Sequence, residues 1–168
     1  MLQEKSVPPK ERIASSFKRL AAASGELNSA ADELNKTVAS LDEALKRLNL
    51  GVSAWHEVAG SEDPQDGSYW TRGIGYARVG NKWGIAIRRA WGNYSYDDHD
   101  EEVWLFADAP RWMCVESLGK LPGLLEDLVK RTEETTGKIK AKTNEAKELA
   151  AAVSAAASEI RPKAGRTR

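Results

Sequence analysis

The sequence predicts an α+β protein in which a long antiparallel two-helix coiled-coil stalk flanks a small antiparallel β-sheet head of about four strands with one short helix. Three observations carry that prediction. Two segments of nearly equal length, residues 10–49 and 121–160, keep a heptad pattern of apolar and small residues. Trp55, Trp70, Trp83, Trp91, Trp104 and Trp112, all the tryptophans of the chain, lie between them. The intervening stretch alternates β-branched and aromatic residues with turn-forming clusters such as SEDPQDG, as hairpin-connected strands do. The expected organisation is a disordered N-terminus (1–9), a first stalk helix (10–50), a Trp-rich β head (51–119), a second stalk helix (120–160) and a basic disordered tail (161–168).

In the first helix Ile13, Phe17, Leu20, Ser24, Leu27, Ala31, Leu34, Val38, Leu41, Leu45 and Leu48 recur at alternating spacings of four and three. A straight helix drifts by ~20° per heptad from a strict 3.5-residue repeat, so a stripe kept over this length implies supercoiling against a partner. The second helix repeats the pattern through Leu121, Leu125, Leu128, Thr132, Thr135, Ile139, Lys142, Ala146, Leu149, Val153, Ala156 and Ile160. Its polar middle lowers stability and penalises alternative alignments. Because both helices join one head, the simplest arrangement folds them back on each other. Leu48 then meets Leu121, Leu41 meets Leu128 and Ala31 meets Ile139, while bulky Ile13, Phe17 and Leu20 face Ala146, Leu149, Val153 and Ala156. Ala21, Ala22 and Ala23 fall level with Ala150, Ala151 and Ala152, a neck of small residues. Helix propensity alone accounts for alanines; their second use is docking of another hairpin, giving a homodimeric four-helix bundle.

Within the head, strands are expected at 52–58, 70–79, 82–91 and 103–106. Gly80-Asn81 has the composition of a two-residue hairpin turn. Asp108 before Ala109-Pro110 reads as the N-cap of a short helix reaching Ser117, and Pro122 opens the last helix. A two-residue turn sets Arg78 opposite Trp83, Tyr76 opposite Ile85, Ile74 opposite Ile87, Arg72 opposite Arg89 and Trp70 opposite Trp91 on one face. The other face, with Ala77/Gly84, Gly75/Ala86 and Gly73/Arg88, is nearly bare and permits close approach of another backbone or a flat ligand.

Two arginines directly opposed destabilise a sheet, so Arg72 and Arg89 need an anion. In a structural reading Glu57, Glu101 or Glu102 supplies it and the tryptophans are core. In a binding reading Arg72, Arg89 and Arg78 hold phosphate or carboxylate while Trp70, Trp91 or Trp83 stacks on a ring, so an anionic aromatic ligand such as a nucleotide is the partner.

Lys plus Arg and Asp plus Glu each number 25, so no global field selects nucleic acid or an anionic membrane. A single cysteine, a start without a signal-like apolar run, and no apolar stretch long enough to span a bilayer point to a cytoplasmic protein with no membrane contact. The acidic run from Tyr94 to Glu102 has oxygen ligands and one imidazole but matches no calcium-loop spacing. It reads as a solvated hairpin loop or a docking surface for a basic partner, and no metal is expected. Neither His56 nor His99 sits in a catalytic motif, Cys114 lies in an apolar stretch as a buried thiol does, and Gly73-Ile74-Gly75 precedes no phosphate-binding helix. No catalytic residue and no cofactor are assigned. The expectation is a non-enzymatic interaction or scaffold protein that self-associates through its helices and holds its head or stalk against another protein, with the ligand-binding module as the alternative.

Overall fold

Pro9 enters the first helix where a missing N–H costs nothing, since first-turn donors have no acceptor within the helix. Glu11 in the first turn and Lys46 and Arg47 in the last complement the helix dipole. This helix, α1, spans Pro9–Arg47. The computed structural model describes residues 8–160, so the expected N-terminal segment before Pro8 and the basic tail from Arg161 lie outside the described residues. Four strands follow, β1 (Ala54–Glu62), β2 (Ser68–Val79), β3 (Lys82–Asn93) and β4 (Asp98–Leu105), forming one antiparallel sheet in sequence order. A 3-10 turn at Phe106–Asp108 leads to α2 (Arg111–Ser117), and a second at Leu118–Lys120 leads to α3 (Leu121–Glu159).

Gly80, at φ 59°, supplies the left-handed position of the β2–β3 turn. The hairpin has the expected register, from Val79 opposite Lys82 through Arg72 opposite Arg89 to Trp70 opposite Trp91. Three local expectations are corrected. Residues 98–102 are not loop: β4 begins at Asp98 and pairs Glu102 with Arg89 and Asp98 with Asn93, because only four residues are needed to turn the chain. β1 extends to Glu62 through a register shift at Val58. Asp108 caps nothing, since it closes the 3-10 turn and α2 begins after Pro110 without a side-chain cap.

Alternation puts Ile74, Tyr76, Ile85 and Ile87 on one sheet face, where α1, α2 and α3 cover them with Val38, Met113, Cys114, Leu124 and Leu128. Each such side chain contributes about 1.5–3 kcal/mol by leaving water, so this single layer of contacts is the head's core. The opposite face is bare for a reason: Trp55 lies flat on Gly75, where any Cβ would overlap its indole. Arg88 closes that stack, its guanidinium 4.7 Å from the centre of the Trp55 ring.

Contacts along the sheet fix the direction of each helix. Arg111 of α2 donates to Asn28 of α1 at 3.2 Å, Asp42 accepts the Ile85 N–H at 2.8 Å, and Lys46 borders Lys82. α1 therefore runs toward the β2–β3 turn. Gly123 and Asp127 of α3 meet His56, and Arg131 and Glu134 lie beside Ser53 and Ala54, nearer that same turn. α3 runs the same way. The free length of α1 leaves one end of the head, and that of α3 leaves the other.

The antiparallel hairpin expected within one chain is thus not formed. Ile13, Phe17, Leu20, Leu27, Ile139, Leu149, Val153 and Ile160 are between 54% and 79% exposed, whereas a seam would bury them. The head-proximal heptads, Ala31 to Leu45 and Leu121 to Thr135, carry the partly or fully buried residues of both helices and pack on the head. An apolar stripe at spacings of three and four fits a sheet as well as it fits another helix. The reversal through α2 then starts α3 near the middle of β1, and from there α3 runs toward the β2–β3 turn, as α1 does.

Candidate functional site

The residues singled out by the register fall into two groups. Trp70, Arg72, Arg89 and Trp91 occupy adjacent positions of β2 and β3, and Arg78 and Trp83 sit at the turn, ~20 Å away at 3.3 Å per strand residue. They are not one site. At the turn Arg78 donates to the Asn81 side-chain oxygen at 3.3 Å, and Trp83 stacks on Tyr76 with ring centres 5.6 Å apart.

Arg72 is engaged from three sides. Its two terminal nitrogens donate to the two carboxylate oxygens of Glu116 in α2, at 2.7 and 3.1 Å. Its guanidinium lies 4.9 Å from the Trp70 ring centre and 4.8 Å from that of Trp112. With 16% of its side chain exposed, it is a strut between sheet and helix. The counter-ion is therefore Glu116, and the expectation of Glu57, Glu101 or Glu102 is corrected. Glu57 and Glu101 point to the opposite sheet face, while Glu102 stands across from Arg89 without an ion pair among the described residues. Arg89 is exposed, with its guanidinium 5.0 Å from the Trp91 ring centre and no ion pair among the described residues.

Two further contacts were not visible in sequence. His56 Nδ1 and Asp127 Oδ2 are 2.7 Å apart, with the imidazole against Gly123, and this docks α3 on β1. β4 ends opposite Ala86, leaving the edge of β3 open at Lys82–Ile85, where Asp42 takes the Ile85 N–H. Lys46 holds that carboxylate at 2.9 Å, and the contact raises the Lys46 ammonium above its ordinary range. No local pattern announces these pairs, because their members are separated by 71 and 43 positions.

Cys114 is buried, and burial pushes its thiol above the usual range, away from the reactive thiolate. Tyr69 stacks on Tyr94 at 4.4 Å and its hydroxyl meets His99 Nδ1, with partial burial holding the phenol above its ordinary range. Among the described residues no three His, Cys, Asp or Glu side chains are placed to hold a metal ion. No described helix is long and apolar enough to cross a membrane.

The remaining surface is the helical arms. Residues 9–30 of α1 and 136–159 of α3 are exposed throughout, and the alanines at 21–23 and 150–152 lie among them. Between the arms, on the outer side of the helical layer, Leu41, Leu48, Leu125 and Val129 are 44–64% exposed. Leu45, Leu48, Leu50, Leu125 and Val129 line a groove there of about 270 Å³. No family model matches the chain, and comparison with curated proteins and with solved structures gives no significant match.

Proposed function

We propose that this chain is a non-enzymatic, self-associating interaction protein whose helical arms form coiled coils between copies and so fix its β head for contact with another protein. The observation that supports this reading is the pair of arms with heptad stripes that find no partner among the described residues. Packing of an apolar face, rather than intrinsic propensity, supplies most of a helix's stability. A regular seam of Ile13, Phe17, Leu20 and Leu27 has no role in a solvated helix but is what a coiled-coil partner requires. The test is sedimentation velocity of the full chain beside Leu20→Asp and Val153→Asp. Both residues are exposed, so the head is expected to keep its tryptophan emission while the assembly dissociates. Variants that sediment as the unaltered chain does would count against the reading.

A second reading, capture of an anionic aromatic ligand, is favoured by Arg89 alone, since Arg72 already holds Glu116. Titration of tryptophan fluorescence with a panel of nucleotides tests it. A response abolished by Arg89→Ala supports it, and silence across the panel removes it.

A further inference from the structure

We infer that the assembly is a closed two-fold dimer in which the α1 arm of each copy lies antiparallel against the α3 arm of the other. This rests on the self-association proposed above and specifies its geometry. The two arms of one copy leave opposite ends of the head, so they cannot meet each other. A two-fold axis across the head brings each α1 arm beside the second copy's α3 arm at both ends. The pairing is then antiparallel, because α1 runs into its head and α3 runs out.

An antiparallel coiled coil sets the first apolar position of one heptad against the second of its partner. Applied here, Ile13 faces the second copy's Ile160, Phe17 faces Ala156, Leu20 faces Val153, Ser24 faces Leu149 and Leu27 faces Ala146. Three of these five layers set a bulky residue against alanine or serine, the complement that fills a seam without voids. The flanking positions are also small. Ala14, Ser16, Ala21 and Ala23 on α1 border Ala150, Ala152 and Ala157 on α3, which lets the helices approach closely. Pairing α1 with α1 so that Ile13 faces Ser24 sets Leu27 against Lys10, and shifting it by one heptad to keep Leu27 sets Ile13 against Ala31, which is already half-buried in its own chain. The reciprocal pairing engages α1 from Ile13 to Leu27 and α3 from Ala146 to Ile160, and beyond them Lys142 falls level with Ala31.

Exposed apolar residues of the head fall into the same register. Carried inward, the same register places Leu48 opposite the second copy's Leu125, both exposed in the single chain. That puts the two-fold axis at the apolar groove between α1 and α3, where exposed Leu48, Leu125 and Val129 have no cover among the described residues. A two-fold interface presents the same patch from both sides, and this patch is central and self-complementary in its apolar character.

The experiment is disulfide trapping in the full chain with Leu20→Cys, Val153→Cys and the double variant, each oxidised at micromolar concentration and read on a non-reducing gel beside light scattering of the unaltered protein. Cys114 is buried and does not compete. The double variant is expected to form a covalent dimer with nothing larger, while neither single variant cross-links to itself. Mixing the single variants through unfolding and refolding is expected to yield the cross-linked dimer as well. An intrachain disulfide, a ladder of higher species, self-linking of Leu20→Cys, or no linkage in a protein that scatters as a dimer would each overturn the reciprocal pairing while self-association stands. An unaltered protein that scatters as a monomer would overturn both.

Discussion

Arg72 is read here as a strut, and its removal has a calculable cost. Arg72→Ala deletes the two hydrogen bonds to Glu116 and both ring contacts, to Trp70 and Trp112. Glu116 is 42% exposed and rehydrates once released, so the ion pair is discounted for solvent to about 1–2 kcal/mol. The two guanidinium–ring contacts add about 0.5–1 kcal/mol each, giving a total of about 2–4 kcal/mol. Urea unfolding at fixed protein concentration, followed by circular dichroism, measures it as a lower midpoint with an unchanged slope. Glu116→Gln should lose less, and the double substitution less than the two single losses combined, since both act on one contact. A loss below about 0.5 kcal/mol for Arg72→Ala would refute the strut and return the guanidinium to ligand binding.

Other substitutions test how the helices are tied to the sheet. Asp42→Ala leaves the Ile85 N–H without its acceptor and should cost about 1–3 kcal/mol, while Asp42→Asn, which keeps an acceptor oxygen, should cost less; equal effects in urea unfolding would contradict the edge-capping role. Gly75→Ala forces the Trp55 indole off the sheet, so a loss of about 1–3 kcal/mol with a red shift of tryptophan emission is expected, and unchanged emission would speak against the stack. Burial raises both the Cys114 thiol and the Tyr76 phenol, the latter with help from the Asp42 carboxylate. Groups whose folded pKa lies above the unfolded value contribute stability that is present below the unfolded value and lost as pH rises. Urea midpoints should therefore fall as pH rises beyond the ordinary thiol value of 9.0, and a flat profile would exclude this linkage.

Several elements were legible because their signals are local. The Gly80-Asn81 turn and the alternation around it set the β2–β3 register, and with it the opposition of Arg72 and Arg89. The glycines at 73 and 75 pointed to close approach of another backbone or a flat ligand, and at Gly75 the place is taken by the chain's own Trp55 indole, while Gly73 lies against the His56 carbonyl. The heptads announced two long helices at nearly their observed limits. What they could not announce was the partner, since a stripe at spacings of three and four is equally suited to a sheet and to a helix. The direction of α3 depends on how α2 and its flanking 3-10 turns reverse the chain. No periodicity encodes that reversal. Glu116 was missed as the counter-ion for a related reason: it lies 44 positions from Arg72 on a separate element, while the acidic residues of β1 and β4 were nearer in the expected sheet.

The central claim is that the arms are interfaces rather than solvated helices. Light scattering of the unaltered chain at micromolar concentration tests it most directly. A mass near twice the 18.4 kDa of one chain is the predicted result, and 18.4 kDa across the accessible concentration range would contradict it.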